Sequence, residues 1–423
     1  MSSRTELLLS EHAVLGERQI VRERLVRYVG VSWGLCAFFP IGLMYLHALL
    51  MLVALATSSD VGQRLRTLRG SEISIPLLLI LAWTVVATFA GEWHPDTPTR
   101  LFHVARVAVV LSIGLMLSAR EARAALCGFL VAAVLAAFIV AVHHVWALPP
   151  WAIWNSLLAS RNNFSSGNMI TMAVASGVCL VFGMGKHAVA ADRRIFLAAA
   201  LALSLTVVLH ALSRNSQLLL LMLFLTSLVY RFRSTIAVLC GIALAFALAA
   251  MAWQFSPSTK ERFSHITKSL ELVSTESDYS NSVGVRWRMY QEAAQGMLDH
   301  PVFGMGVGSW LPHWRMVWSG LNQPLSPERQ SVFAEINNPH NDFLLAGMET
   351  GVIGMLLLVW LLVRFIKAGW NQGSTAGGVT VVMGVAMSVT ALVNAPFRDA
   401  ALGMTLVWLL AVSVAAHGKA GRA

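Results

Sequence analysis

Asn337-Asn338-Pro339-His340-Asn341-Asp342-Phe343 leads directly into Leu-Leu-Ala-Gly-Met-Glu-Thr-Gly351-Val-Ile-Gly354 and an apolar run that continues to Phe365. Pro339 disfavours helix at the residue before it, and Asn341 or Asp342 can cap a helix that follows. These signals place His340 at the water end of a membrane helix, where free backbone N–H groups favour anions. A capped helix start with an incidental histidine explains the same residues.

The composition of the whole chain agrees with a membrane protein. The 423 residues are 57% hydrophobic and only 12% charged, and the mean hydropathy is +0.66. Several apolar runs reach the roughly 20 residues that a helix needs to cross a bilayer. We therefore predict an all-α polytopic membrane protein with about twelve transmembrane helices. The net charge of +10 is explained by its position along the chain, and we expect no nucleic-acid partner.

The apolar runs predict individual spans. The first run, about Tyr28–Thr57, is interrupted by Pro40 and predicts two short spans in a tight hairpin, with one long kinked helix as the alternative. Further spans are predicted at about Ile73–Glu92, Leu101–Leu117, Ala124–Trp146, Ser165–Met184, Ile195–Leu212, Gln217–Tyr230, Thr235–Gln254, Phe343–Phe365, Gly378–Leu392 and Ala400–Ala416.

Short connections between these spans alternate between basic and nearly uncharged, and the basic set faces the cytoplasm by the positive-inside rule. The basic connections carry Arg64, Arg66 and Arg69, Arg120 and Arg123, Lys186, Arg193 and Arg194, and Arg231 and Arg233. The predicted organisation is a cytoplasmic basic N-terminus (1–27), nine spans (28–254), a large periplasmic segment with short helices (255–342), three further spans (343–416) and a cytoplasmic tail (417–423). His340 then faces outward.

The four cysteines fall in apolar runs and have neither paired nor metal-type spacing. We predict that they are small core residues. They are Cys36, Cys127, Cys179 and Cys240.

The large outer segment carries an amphipathic helix and a glycine-rich loop. From Arg286 onward, helical spacing puts Trp287, Tyr290, Ala294 and Leu298 near one face. The loop that follows contains Gly304, Gly306 and Gly308, which let a backbone turn tightly or approach a ligand closely. No strand–helix frame surrounds these glycines, so a nucleotide site is rejected.

Three tryptophans follow the glycine-rich loop at helical spacing. A membrane-facing helix with an aromatic belt explains them better than a sugar platform does. They are Trp310, Trp314 and Trp318.

Arg214, Arg286 and His340 come from three separate outward segments. Arginine presents a planar fork to phosphate oxygens, and histidine can abstract a proton near neutral pH. Together they suit a lipid-linked diphosphate as leaving group and a hydroxyl as nucleophile. For Arg214, which separates two spans with almost no loop, snorkelling to the membrane interface is the alternative.

Several motifs between residues 213 and 354 resemble one superfamily: the O-antigen ligases, the O-antigen polymerases and the bacterial protein O-oligosaccharyltransferases. The span count and the late outer segment extend the likeness, and the length and short tail look most like a ligase. The motifs are Ser213-Arg214, Val285-Arg286, His300-Pro301-x-x-Gly304-x-Gly306, and Asn338-Pro339-His340-Asn341 with Glu349-Thr-Gly351-x-x-Gly354.

The resemblance implies a GT-C type glycosyltransferase of the inner membrane. It would transfer O-antigen from undecaprenyl diphosphate to the lipid A-core oligosaccharide at the periplasmic face, by an inverting displacement without metal or other cofactor. The essential residues would be Arg214, Arg286 and His340, with Arg288 as an alternative second arginine. Weaker candidates for substrate contacts are Arg161, Asn338, Asn341, His313 and Arg315, and an ordinary interfacial role is the alternative for Arg161, His313 and Arg315.

Three other functions fit parts of the sequence. An O-antigen polymerase or a protein O-oligosaccharyltransferase would share the donor and differ in the acceptor. A lipid-sugar transporter would place its ionisable residues near the middle of the membrane and show two similar halves. Here the polar motifs gather at one end of the spans and the halves differ, which favours the transferase.

Overall fold

A computed structural model describes residues 24–149, 157, 165–185, 189–211, 213–234, 236, 239, 241–243, 282–321 and 327–417. The predicted span at about Thr235–Gln254 lies mostly outside these residues. Arg161 also lies outside them. The helices are α1 (residues 24–35), α2 (Ile41–Ala56), α3 (Val61–Arg69), α4 (Ser74–Ala90), α5 (Thr97–Leu115), α6 (Ala119–Val145), α7 (Ser166–Gly183), α8 (Ala190–His210), α9 (Arg214–Phe232), α10 (Ser282–Asp299), α11 (Trp310–Gly320), α12 (Pro327–Ala334), α13 (Asp342–Gln372), α14 (Thr375–Val393) and α15 (Ala401–Ala415).

Membrane-spanning helices dominate the described part of the chain. Seven of its helices are long and apolar enough to cross a bilayer, and the number rises to eight if the pair α2 and α3, bent by 111°, is counted as one span. Two shorter apolar helices, α4 and α15, lie beside them. The prediction of a polytopic α-helical membrane protein is confirmed, while the described helices account for fewer spans than the twelve predicted.

The first apolar run forms a hairpin. A 3₁₀ turn at Cys36–Phe38 ends α1, and Pro40 precedes α2. The His47 ring lies 3.9 Å from the Cys36 sulfur, so α2 doubles back along α1. The predicted turn at Pro40 is confirmed and the single kinked helix is wrong, while two membrane spans over Tyr28–Thr57 stay a prediction.

Helix α6 begins five residues earlier than predicted. Ser118 and Glu121 form a capping box at its start, each side chain bonded to the other's backbone N–H. The Ser-x-x-Glu signal is present in the sequence. The apolar run alone therefore predicts too late a start for α6.

The cysteines differ in burial. Cys179 is buried and Cys36 is half-buried, but Cys127 is exposed on α6. The prediction of a core position is wrong for Cys127, because an apolar run that crosses a membrane also has a lipid-facing side. Cys240 lies outside the described residues.

The glycine-rich loop packs against a kink in α13. Gly351 has φ +75° and interrupts the helix, and the freed backbone groups pair with the loop: Met305 N–H donates to Met348 O at 2.7 Å, and Val352 N–H donates to Pro301 O at 2.8 Å. A Cβ at Gly351 would lie 2.1 Å from Val302 O. A Cβ at the loop glycines Gly304, Gly306 and Gly308 would likewise lie 2.5, 2.8 and 2.5 Å from other backbone atoms, so these glycines allow close backbone approach.

Helix α10 buries a different face from the predicted one. Its buried apolar residues are Val285, Met289 and Ala293. Trp287 is 48% exposed and Leu298 is 67% exposed, so the predicted face is wrong by about one residue of rotation. The large aromatic Trp287 dominated the periodicity, although the smaller side chains make the contact.

The three tryptophans of α11 are buried and do not form an aromatic belt. Each indole N–H donates to a backbone carbonyl before the α13 start, of Ile336, Phe333 and Gln330 in turn. The rings of Trp310 and Trp314 stack, the ring of Trp318 lies tilted against that of Trp314, and the three form a second, smaller core with α10 and α13. The belt prediction is wrong because the residues before α13 cover this helix. They are Trp310, Trp314 and Trp318.

Candidate functional site

His340 stands in a left-handed backbone conformation immediately before α13. Its φ is +54°, a conformation that costs most residues about 1–2 kcal/mol and is least unusual for Asn, Asp and His. Side chains hold both backbone groups: His340 N–H donates to Asn338 Oδ1 at 2.9 Å, and Tyr290 Oη–H donates to His340 O at 3.4 Å. The predicted cap is confirmed at Asn341, whose Oδ1 accepts from two backbone N–H groups of α13.

The ring of His340 is half-buried, and its Nδ1 lies 3.4 Å from Asn394 Oδ1. Burial lowers the pKa of His340 below its usual value of 6.5, the Arg286 charge lowers the pKa further, and the hydrogen bond to Asn394 opposes both. The ring is therefore neutral at neutral pH. A neutral imidazole can accept a proton.

Two arginines come to the same end of the bundle. Arg286 lies one turn before Tyr290 on α10 and acts electrostatically on His340. Arg214 begins α9, and the neighbouring Asn215 donates from Nδ2 to Val393 O at 3.3 Å, next to Asn394. Among the residues that the structure describes, neither arginine has a hydrogen-bond or ion-pair partner, and both are exposed.

A buried layer of charged groups lies directly behind His340. Arg100 of α5 forms a bidentate ion pair with Glu349 of α13, with its shortest contact at 2.7 Å. Arg398 pairs with Asp96 at 2.7 Å, and Asp342 accepts from Phe397 N–H at 2.9 Å. Charges inside a membrane bundle are costly unless they are paired. This layer fixes α5, α13 and the loop 394–400 against one another.

The other predicted contact residues have different partners. Arg288 and His313 both bind the Glu292 carboxylate, at 2.6 and 2.9 Å. Arg315 pairs with Glu335 on the surface, with an Nε–Oε1 distance of 3.0 Å. The Oδ1 atoms of Asn338 and Asn341 bind backbone N–H groups, as described above. The ion pair leaves Arg288 less available than Arg286.

Two parts of the site were missed in the sequence. Asn394 follows α14 and precedes an Ala-Pro pair, which signals only a helix end. Glu349 belongs to the Glu349-Thr-Gly351 motif, but nothing in its spacing indicates Arg100, which lies 249 positions earlier. Contacts between distant segments of this kind leave no local pattern.

Comparison with known proteins concerns the central and late part of the chain. Residues 199–359 match the family model described as O-antigen ligase. A search of curated proteins finds no match. The matched segment contains Arg214, Arg286 and His340 together with α9, α10 and the start of α13. The resemblance to the O-antigen ligase family is thus confirmed over residues 199–359.

Proposed function

We propose that this protein is an O-antigen ligase of GT-C type in the bacterial inner membrane. It transfers O-antigen polysaccharide from undecaprenyl diphosphate to the lipid A-core oligosaccharide at the periplasmic face. One observation carries the proposal: three segments far apart in the chain bring His340, Arg214 and Arg286 to one end of the bundle. The family match supports a glycosyltransferase-like enzyme that acts on lipid-linked polysaccharides.

In the proposed mechanism, Arg214 and Arg286 bind the diphosphate of the donor. Their planar forks neutralise the charge that develops as the diphosphate leaves. His340 removes the proton from the acceptor hydroxyl, the hydroxyl oxygen bonds to the anomeric carbon, and the bond from that carbon to the diphosphate breaks. The diphosphate keeps the electron pair. A single displacement inverts the anomeric configuration and forms no sugar–enzyme bond.

Deletion of the gene distinguishes the proposed ligase from its relatives. Lipopolysaccharide from the deletion strain should show core without O-antigen on a gel, while lipid-linked polymer accumulates. Core that carries a single repeat would indicate a polymerase, and unchanged lipopolysaccharide with lost protein glycosylation would indicate a protein O-oligosaccharyltransferase. Re-expression of the wild-type chain should restore the ladder.

The proposed orientation can be tested by cysteine labelling. Ser319 is exposed at the end of the bundle that carries His340, and Gln63 is exposed at the other end. In a chain without native cysteines, Ser319→Cys should react with an impermeant maleimide from the periplasm. Gln63→Cys should react only after the inner membrane is opened. The reverse pattern would place His340 in the cytoplasm and exclude the proposed site.

The chemistry of the product tests the displacement itself. With purified protein, lipid-linked donor and lipid A-core, the new linkage should have the anomeric configuration opposite to that of the donor. A chelator should leave the rate unchanged, because the arginines carry the charge of the diphosphate. Retention of configuration, or a trapped glycosyl-enzyme, would exclude a single displacement.

A further inference from the structure

We propose that Asn394 is a positioning residue that fixes the tautomer of His340. Its amide oxygen holds the proton on Nδ1 and leaves the lone pair of Nε2 free for the acceptor hydroxyl. The inference rests on the proposed function, because it assigns the atom of His340 that removes the proton.

The orientation of the Asn394 amide follows from its second contact. Asn394 Oδ1 accepts from the backbone N–H of Ala395 at 2.9 Å. A backbone N–H can only donate, so the atom that it meets must be the amide oxygen. The same oxygen faces His340 Nδ1 at 3.4 Å, and an amide oxygen can only accept. Nδ1 must therefore carry the hydrogen, and Nε2 of the neutral ring has the lone pair.

The loop that carries Asn394 is held on several sides. Asn215 of α9 donates to Val393 O, and Phe397 N–H donates to the buried carboxylate of Asp342. Arg106 Nη2 donates to the carbonyls of residues 397, 398 and 399, at 3.2, 3.2 and 3.0 Å. A positioning residue needs a rigid support of this kind. The same contacts connect it to the helix that begins at Arg214.

The neutral side chain of Asn394 also matters for the charge of the ring. A carboxylate at this position would stabilise the imidazolium and raise the pKa of His340, whereas an amide leaves the ring neutral. Of the groups on the surrounding elements, the Arg286 charge acts on the pKa of His340 and lowers that pKa. In the parts of these elements nearest His340 in the chain and in contacts, the charged and titratable groups are Arg286, Arg288, Tyr290 and Glu292 on α10, Arg214 on α9, Asp342 and Glu349 on α13, and Arg398 and Asp399 in the loop.

Two substitutions of similar size test the inference through the pH dependence of kcat/KM. The assay uses purified full-length protein, lipid A-core and undecaprenyl diphosphate-linked polymer extracted from a deletion strain. In the wild type, the acid limb should lie below pH 6.5, because protonation removes the base. Asn394→Asp should move this limb to higher pH by about one unit or more. Asn394→Leu should move it to lower pH, because the hydrogen bond that raises the pKa is lost.

The plateau rates give a second readout. Asn394→Leu should lower kcat at least about tenfold with the KM for donor changed less than about twofold, because the Nδ1–H tautomer is no longer selected. Asn394→Asp still accepts from Nδ1–H and should recover most of kcat above its shifted limb. Asn371→Asp adds the same charge at the opposite, exposed end of α13 and should leave the profile unchanged.

Each outcome decides one question. If Asn394→Leu has wild-type kcat, or if both variants keep the wild-type limb, Asn394 does not set the tautomer. A merely structural role would lower the thermal midpoint or the yield without moving the limb in opposite directions. If His340→Ala keeps wild-type kcat in the same assay, the proposed mechanism itself fails. Loss of activity in His340→Ala with a wild-type profile in both Asn394 variants would overturn the inference alone.

Discussion

Arginines stand at both ends of the bundle, but the two ends use them differently. At the end with the basic connections several of them tie helices together: Arg64 binds Asp60 and Glu121, with N–O distances of 2.7 Å. Others at that end, Arg69, Arg120 and Arg194, are exposed and have no partner among the described residues. At the other end, Arg214 and Arg286 are exposed, and within the described residues nothing binds them. At the basic end, Arg193, Arg231, Arg233 and Arg123 donate to the carbonyls of Gly183, Met184, Trp370 and Ala416 respectively.

This difference separates structural arginines from those that are available to a ligand. An arginine that binds helix carbonyls or a carboxylate uses its N–H donors to stabilise the fold. Arg100 and Arg398 are structural in the same way, although they lie near His340, because each pairs with a carboxylate, the buried Glu349 and the half-buried Asp96. Proximity to the site is therefore a weaker guide than the bonding of each guanidinium.

The largest effect is expected from replacing the histidine at one end of the bundle, with the histidine at the other end as the control. His340→Asn removes the ring but keeps a residue that tolerates positive φ, so folding should be preserved. We expect kcat to fall by roughly two to four orders of magnitude, the usual contribution of a general base. His417 at the basic end bonds to Thr380 and to Ala376 O, and His417→Asn should leave kcat within about threefold.

The measurement for these variants is kcat at saturating donor, with the thermal midpoint as a check on folding. Loss of donor binding in His340→Asn with normal turnover at saturation would make the histidine a phosphate ligand and not the base. Equal losses at both ends would remove the contrast between them.

The next effect concerns stability and compares a buried ion pair with an exposed one. Glu349→Gln leaves Arg100 buried without its counter-ion, which should destabilise the protein by about 3–5 kcal/mol. Glu72→Gln breaks the pair with Arg364, in which the glutamate is 63% exposed, and should cost about 1 kcal/mol or less. Thermal unfolding of the purified proteins in detergent measures both. A similar shift in the two variants would show that the buried pair contributes no more to stability than the exposed one.

A smaller effect is expected when lysine replaces each of the two exposed arginines, with a structural arginine as the control. Lysine keeps the charge but loses the planar fork, so Arg214→Lys and Arg286→Lys should each lower kcat/KM about tenfold to a hundredfold. Arg64→Lys loses the bidentate contact with Glu121 and should lower the thermal midpoint with kcat/KM nearly unchanged. Full activity in both Arg214→Lys and Arg286→Lys, at normal protein levels, would mean that the fork is unnecessary.

Much of the fold was predictable because a membrane span needs a long apolar run. Helices α7 and α14 begin and end within a few residues of their predicted bounds. The Asn341 cap and the hairpin around Pro40 were also predictable, because both depend on neighbouring residues. Local chemistry decides such features, and the sequence contains it.

The candidate site was predictable only in part. The motifs pointed to Arg214, Arg286 and His340, but not to Asn394, because a side chain that bonds across 54 positions has no periodicity to reveal it. The expectation that the Trp287 face of α10 packs against the protein is wrong for a related reason. Helical spacing fixes which residues share a face, whereas the packing partner decides which face is buried.

The smallest expected effect concerns Arg315, which the sequence offered as a substrate contact. Its guanidinium is occupied by Glu335, and both side chains are at least half exposed. An exposed pair contributes little to stability, and a guanidinium bound to a carboxylate is a poor phosphate ligand. Arg315→Ala should therefore change kcat/KM by less than about twofold and leave the thermal midpoint unchanged. If the KM for lipid A-core alone rose more than about fivefold, Arg315 would contact the acceptor, and the surface pair would have to open during the reaction. Glu335→Gln distinguishes these cases, because it frees Arg315 and would then lower that KM.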